Sequence, residues 1–331
     1  MLFETEDVAV YELLSKLKSE RSKIRTLQFT LKIRVAAHDG AGRLLSLEED
    51  SGRLDEFSIW KTPESLRIDQ RSRHILVTSG ETPLVPKSAK EPFESRLAIT
   101  GEKFIEFQPR EYSDSGYIVA RSGNANSDQT VSPRIFDPLM IGNLPFPYGL
   151  WHRTTLSQLV PDDQTKVKLR PVTLANEIEA LRYELDGVNG LKLTFVVVPS
   201  LGDSVAEAML ERNYPNGSKY RQRVSVAHRN VNAVWFPTHV RYSSHVDERL
   251  IGEEEWLIED LVVNESIAAS LFTPEGLEIP NDYIVSTEEA AKQLKDGKLT
   301  SFTPSDPQVV SGSGSPRSCL LYTSPSPRDR G

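Results

Sequence analysis

Three of the six histidines stand close together in the chain: His228, then His239 and His245 within AVWFPTHVRYSSH (233–245). Imidazole nitrogens in such a group bind zinc or move protons near neutral pH. The spacing argues against a shared ion. Read as a strand, His239 and His245 lie on one face, with Cα atoms roughly 20 Å apart at about 3.3 Å per residue. Zn–N bonds are about 2 Å long, so one ion does not reach both. His228 falls on the preceding strand, within reach of one of them across a ladder, but a histidine pair without a nearby carboxylate is a poor zinc site. The expectation is solvent-facing strand histidines. Trp235 and Pro237 share their face, while Val234, Phe236, Val240 and Tyr242 fill the other. Pro237 has no N–H, which requires an edge strand or a bulge.

The second candidate is GEEEWLIED (252–260), which carries five carboxylates. Glu253, Glu255 and Glu259 fall on one strand face, Glu254 on the other, and Asp260 at the end. Glycoside hydrolysis needs two carboxylates across a cleft, and nothing in this run makes such a pair meet. A solvated strand face accounts for it. The chain contains no G-x-S-x-G, H-E-x-x-H, Walker loop or G-x-G-x-x-G. We therefore assign no catalytic residue, metal ligand or cofactor from sequence, and read the protein as not an enzyme.

Composition narrows the partners. The 331 residues suffice for one large or two ordinary domains, and 38% are hydrophobic, enough for a real core. The net charge is −8, which suits no polyanion, so nucleic acid is set aside. No window reaches the apolar length of a membrane span. MLFETEDVAV lacks the basic start and apolar run of a signal peptide, which read literally would make the protein cytoplasmic. The stretch CLLYTSPSPRDRG (319–331) resembles a translated sequencing adapter, and it holds Cys319, the sole cysteine. Without it there is no disulfide, thiolate site or cysteine nucleophile.

The elements that must position these residues are mostly strands. EDVAVYELLSKLKSERSKI (6–24) predicts an amphipathic helix, with Val10, Leu13, Leu14, Leu17 and Ile24 near helical spacing. TLQFTLKIRV then alternates strictly, with Leu27, Phe29, Leu31, Ile33 and Val35 on one face. Comparable runs, separated by turns such as Asp186-Gly187 and Asn216-Gly217, predict about a dozen strands in one antiparallel meander that must curl or split. Residues 133–160 form a Pro-rich apolar insert. STEEAAKQLKDG (286–297) predicts a capped helix. The expected fold class is mainly β (α+β): a large curved antiparallel sheet with covering helices.

Three stretches together resemble the LolA/LolB-like lipoprotein-carrier family of the bacterial cell envelope. IWKTPESLRID (59–69) resembles its strand–Pro–strand element. ITGEKFIEFQP (99–109) resembles its Gly-led hairpin, and NESIAASLFTPEGLEIP (264–280) its closing strand. VWFPTHVRY with IEDLVVNESI is more similar to members from planctomycete-like bacteria than to the carrier itself. The carrier has a basic residue immediately before the Pro of the first element, tied to lid closure, whereas this chain has Thr62 there, preceded by Lys61. The resemblance implies a carrier-like half-barrel over residues 1–283, with 133–160 as a lid-like insert. A C-terminal helix and linker would occupy 284–310, and a linker plus the adapter-like tail 311–331.

The resemblance further implies an apolar cavity holding a lipid, acyl chain or lipoprotein, and a place in the periplasm or cell envelope. The residue pattern agrees, with one apolar strand face and an apolar insert to cover it. The candidate wall residues are Phe29, Leu31, Ile33, Phe57, Ile59, Phe104, Phe195 and Phe236. The candidate lid residues are Phe136, Leu139, Met140, Ile141, Leu144, Phe146 and Trp151. The alternatives are a filled core at the same positions, and a protein-interaction or envelope-stress sensor domain on the same scaffold.

Overall fold

Alternation of period two sets which side chains the sheet buries. In LQFTLKIRVAA (27–37), Leu27, Phe29, Leu31 and Ile33 are at most 2% exposed, while Lys32 and Arg34 face out. The computed structural model describes residues 6–9, 12, 13, 15, 16, 20–37, 53–73, 93–108, 119–124, 138–142, 166–187, 190–279, 284–287, 291–295 and 298–301.

Among the described residues, seventeen strands lie in one sheet. The first seven are β1 (Glu6–Ala9), β2 (Leu27–Ala37), β3 (Arg53–Lys61), β4 (Ser65–Arg73), β5 (Phe93–Thr100), β6 (Lys103–Gln108) and β7 (Val119–Asn124). The next seven are β8 (Lys166–Thr173), β9 (Glu179–Asp186), β10 (Leu191–Val198), β11 (Ser204–Asn213), β12 (Lys219–Val231), β13 (Val234–Val246) and β14 (Arg249–Val263). The last three are β15 (Ile284–Thr287), β16 (Ala291–Lys295) and β17 (Lys298–Ser301).

The pairings make two meanders, β2 to β7 and β8 to β14, joined where β14 lies antiparallel to β2. β1 extends the β8 edge, and β15 extends the β7 edge as the one parallel neighbour. The architecture is thus mostly antiparallel β, an open, curled sheet with few helical turns. Its strand order differs from one continuous meander because the chain, after edge strand β1, enters the middle of the sheet at β2, runs out to β7 and then crosses to the opposite edge at β8. Among the described residues no helix is long and apolar enough to cross a membrane.

Two expected helices are corrected. Residues 6–9 are strand β1, residues 12, 13, 15 and 16 are helical, and Arg21–Lys23 is a 3-10 turn. Residues 284–287, 291–295 and 298–301 are strands β15 to β17 of the sheet, not a helix. Local propensity favours helix at EEAAKQLK. The open edges of β8 and β7 present unpaired backbone groups, and pairing with them outweighs a preference worth only tenths of a kcal/mol per residue. The expected strand at RLLSLEE (43–49) lies outside the described residues.

Buried side chains of β2–β4 and β8–β14 form one cluster on the inner face, joined by Leu13 and Ile141, both fully buried. The sheet's curvature shows in Phe29 and Phe236, whose rings meet at 5.7 Å although β14 separates their strands. Pro237 lies opposite a bulge at Ala227/His228, and pairing of β13 with β14 begins only at His239. Trp235 therefore lacks a strand on that side, and two side chains take its place. Glu20 Oε1 accepts from the Trp235 N–H at 2.8 Å, and Arg21 Nη1 donates to the Trp235 carbonyl at 3.3 Å. Arg21 also lies over the Phe236 ring, 4.7 Å from its centroid. A buried acid and base next to each other thus satisfy backbone that the proline left open.

The outer face of β4–β6 is covered by residues 269–279. Ala98 and Phe107 pack under Leu277 and Ile279. Arg67 donates to the carbonyls of Leu271 at 2.9 Å and Gly276 at 2.6 Å, while Asp69 holds its other edge at 2.8 and 2.6 Å. This clamp needs a glycine, because a Cβ at Gly276 would sit 2.0 Å from the Ser270 carbonyl oxygen. Gly276→Ala should lower the unfolding free energy by about 2 kcal/mol in urea denaturation. An unchanged midpoint would show that the segment does not brace the sheet.

Candidate functional site

Cross-strand neighbours share a face, so the register assigns every side chain of the inner surface. Running outward from β2, Ile33 lies beside Trp256 and Asp55, Leu31 beside Ile258 and Phe57, and Phe29 beside Ile59. On the other side Phe195 lies between Tyr183 and Ala208, and Val224 opposes Tyr242. Seven of the eight candidate wall residues, Phe29, Leu31, Ile33, Phe57, Ile59, Phe195 and Phe236, are in this single cluster at 2% exposure or less. Phe104 sits beyond them in a small group with Leu97.

Of the candidate lid residues, three fall in the described turn Pro138–Gly142. Ile141 is fully buried in the cluster, and Leu139 packs against it half-buried; Met140 lies in the 3-10 turn between them. Phe136, Leu144, Phe146 and Trp151 lie outside the described residues. The turn is fixed from both ends. Arg21 Nη2 donates to the Ile141 carbonyl at 3.4 Å, and Gly142 approaches Val226 so closely that a Cβ would come within 3.1 Å. The phenol of Tyr242 is hydrogen-bonded to the Gly142 backbone; burial first, and the Glu254 carboxylate second, push its pKa well above the ordinary phenol range.

The inner face is not wholly apolar. Glu254 accepts from the Trp256 indole N–H at 3.1 Å. Asp55, Gln70, Ser95, Glu106 and Gln222 are all buried, at 2 to 5% exposure. Apart from Glu106, these groups keep to the half of the face towards Val35 and Gly252, while Leu27, Phe29, Phe236 and Ile59 hold the other half. The sequence carried a signal for them. Asp55 has the parity of Phe57 and Ile59, Gln70 that of Ile68, and Glu254 that of Trp256.

The expectation of solvent-facing histidines holds for two of the three, whereas His228 is mostly buried beside Arg21. His239 and His245 are on the outer face, and His239 Nε2 contacts Glu255 Oε1 at 2.8 Å on the adjacent strand. A carboxylate is therefore nearby after all, but Arg241 shares it at 3.3 Å and no third ligand joins them. Burial raises the Glu255 pKa, but His239 and Arg241 outweigh it and hold the carboxylate below its usual range. Among the described residues no group of three His, Cys, Asp or Glu side chains is placed to hold a metal ion. Glu259 pairs with Lys32 at 2.6 Å, so two of the three outward carboxylates of that run serve as ion-pair partners.

Fold and site together define a mainly β protein whose curled antiparallel sheet has one extended apolar face with polar groups towards one end. No protein-family model matches the chain, and no curated protein matches it. Similar solved structures include one from Vibrio parahaemolyticus described as an outer membrane lipoprotein-sorting protein domain. It has 9% identity over 81% of this chain and 97% of that chain, with a TM-score of 0.42. A DUF1329 family protein from Desulfovibrio piger has 9% identity over the same shares and a TM-score of 0.39.

His228 makes this site sensitive to acid. It is mostly buried beside Arg21, and burial first, then that positive charge, lower its pKa from 6.5 to about 3. The folded protein thus keeps a neutral imidazole that the unfolded chain would protonate. Its contribution is fully present above pH 6.5 and is lost as pH falls from 6.5 towards 3, at up to about 1.4 kcal/mol per pH unit. Urea denaturation at pH 7 and pH 4 should show a steeper loss for the wild type than for His228→Gln. Equal losses would place the imidazole in solvent.

Proposed function

We propose that this chain is a non-catalytic cell-envelope binding protein that holds a lipid, acyl chain or lipoprotein against the apolar face of its half-barrel. The observation that carries the reading is the continuity of that face, on which side chains of β2–β4 and β8–β14 make one cluster under the Pro138–Gly142 turn. A site built from an apolar surface with few polar anchors suits a hydrocarbon ligand. Each buried methylene contributes about 0.8 kcal/mol, so roughly ten of them supply about 8 kcal/mol before the costs of association. Tyr242 and Glu254, at the polar half of the face, would meet the ligand's head.

Native mass spectrometry of the purified protein should detect a co-purified lipid. After delipidation, a fluorescent fatty acid should bind saturably. Leu139→Asp, which places a charge where the turn packs on the sheet, should weaken that uptake by roughly tenfold or more. Absence of both bound lipid and uptake would reject the proposal.

A further inference from the structure

The outer face of the same sheet carries a feature that the proposed function does not use. A groove of about 550 Å³ crosses β9 to β14, lined by Arg182, Arg223, Arg241, Glu207 and Glu253 among others. A second groove of about 420 Å³ adjoins it and shares Glu207, Ser225 and Arg241. The second is apolar at its far end, where Leu174, Ala175, Ile178 and Ala206 line it. Ile178 is 38% exposed, one of two exposed large hydrophobic side chains among the described residues. Beneath that end Ala180, Val196 and Val198 form a small cluster of their own.

The first groove holds charges of both signs. Arg241 is occupied by Glu255, and the neighbouring Arg170 by Glu184 at 2.5 Å. Arg182 and Arg223 form no ion pair among the described residues, and the Nε of Arg182 is shielded from solvent without a hydrogen-bond partner. Glu207 likewise has no cationic partner, although register places it in the row of Arg182, two strands away, and diagonal to Arg223. The unneutralised charge of Arg223 is felt nearby: after burial, it is the next cause holding the His245 imidazole below its usual range. Guanidinium pairs grip phosphate through parallel N–H donors, and a carboxylate beside them suits an ammonium.

We propose that these adjoining grooves are a second binding site, which takes an amphiphile with a zwitterionic phosphate–ammonium head and a short apolar tail. Arg182 and Arg223 hold the phosphate, Glu207 holds the ammonium, and the tail lies along Leu174 and Ile178. The combined space is in the range of ordinary small-ligand sites. Its charged side chains lie on the opposite face of the sheet from the apolar cluster, whose Ala208, Val224 and Tyr242 also line the first groove.

The test is calorimetric titration of the full chain with a phosphoethanolamine-headed single-chain lipid below its micelle concentration. Soluble phosphoethanolamine, inorganic phosphate and phosphatidylethanolamine vesicles run in parallel. Saturable binding of the single-chain lipid is expected, with roughly tenfold loss or more in the double variant Arg182→Ala/Arg223→Ala and in Ile178→Asp. Glu207→Gln should weaken this probe and leave binding of a lysolipid with a bare phosphate head unchanged. In the Leu139→Asp background, which weakens binding at the inner face, the losses caused by Arg182→Ala/Arg223→Ala and by Ile178→Asp should persist, which separates this site from the inner face. Affinity indifferent to the arginine pair, equal affinity for head group alone, or binding to vesicles only would each overturn the proposal.

Discussion

The ladder between β2 and β14 is the constraint on which the rest of this structure depends. It joins residues more than two hundred positions apart, Ile33 to Trp256 and Leu31 to Ile258 among them. Without it the two meanders would each have a bare edge and half an apolar face. With it, Phe29, Phe57, Phe195 and Phe236 enter one cluster. Closing so long a loop costs chain entropy before any contact offsets it, so this pairing also sets the hardest step of folding.

The end of that ladder explains the buried charges near the N-terminal part of the chain. Pro237 keeps β13 from pairing with β14 across its first residues, and the backbone of Trp235 would otherwise be stranded in a dry place. Glu20 and Arg21 satisfy it, and Arg21 then reaches on to Ile141. One guanidinium thereby connects the strand end, the turn over the inner face and the neighbouring His228. Acid–base behaviour, the Pro138–Gly142 turn and strand geometry are one network here.

The two faces of the sheet divide the chemistry. Inside, polar groups are few, buried and confined mostly to one half of the surface. Outside, charges are numerous and mostly matched across strands, as in Lys32 with Glu259 and Arg170 with Glu184. Arg182, Arg223 and Glu207 are among the outer charges that have no ion-pair partner among the described residues.

By itself the sequence determined which residues turn inward. The two-residue period of 27–35 and the parity of Phe236, Val240 and Tyr242 survive intact, because a strand buried on one face admits no other register. It also determined that Pro237 must sit on an edge strand or at a bulge. Only the tertiary structure decided the order of the strands, since β2 meets β14 through contacts that no local pattern encodes. The same holds for residues 6–9 and 284–301, where helical spacing yielded to the open edges of β8 and β7. It holds again for His239 and Glu255, and for the outer groove, whose members come from strands far apart in sequence and become neighbours only once the sheet has formed.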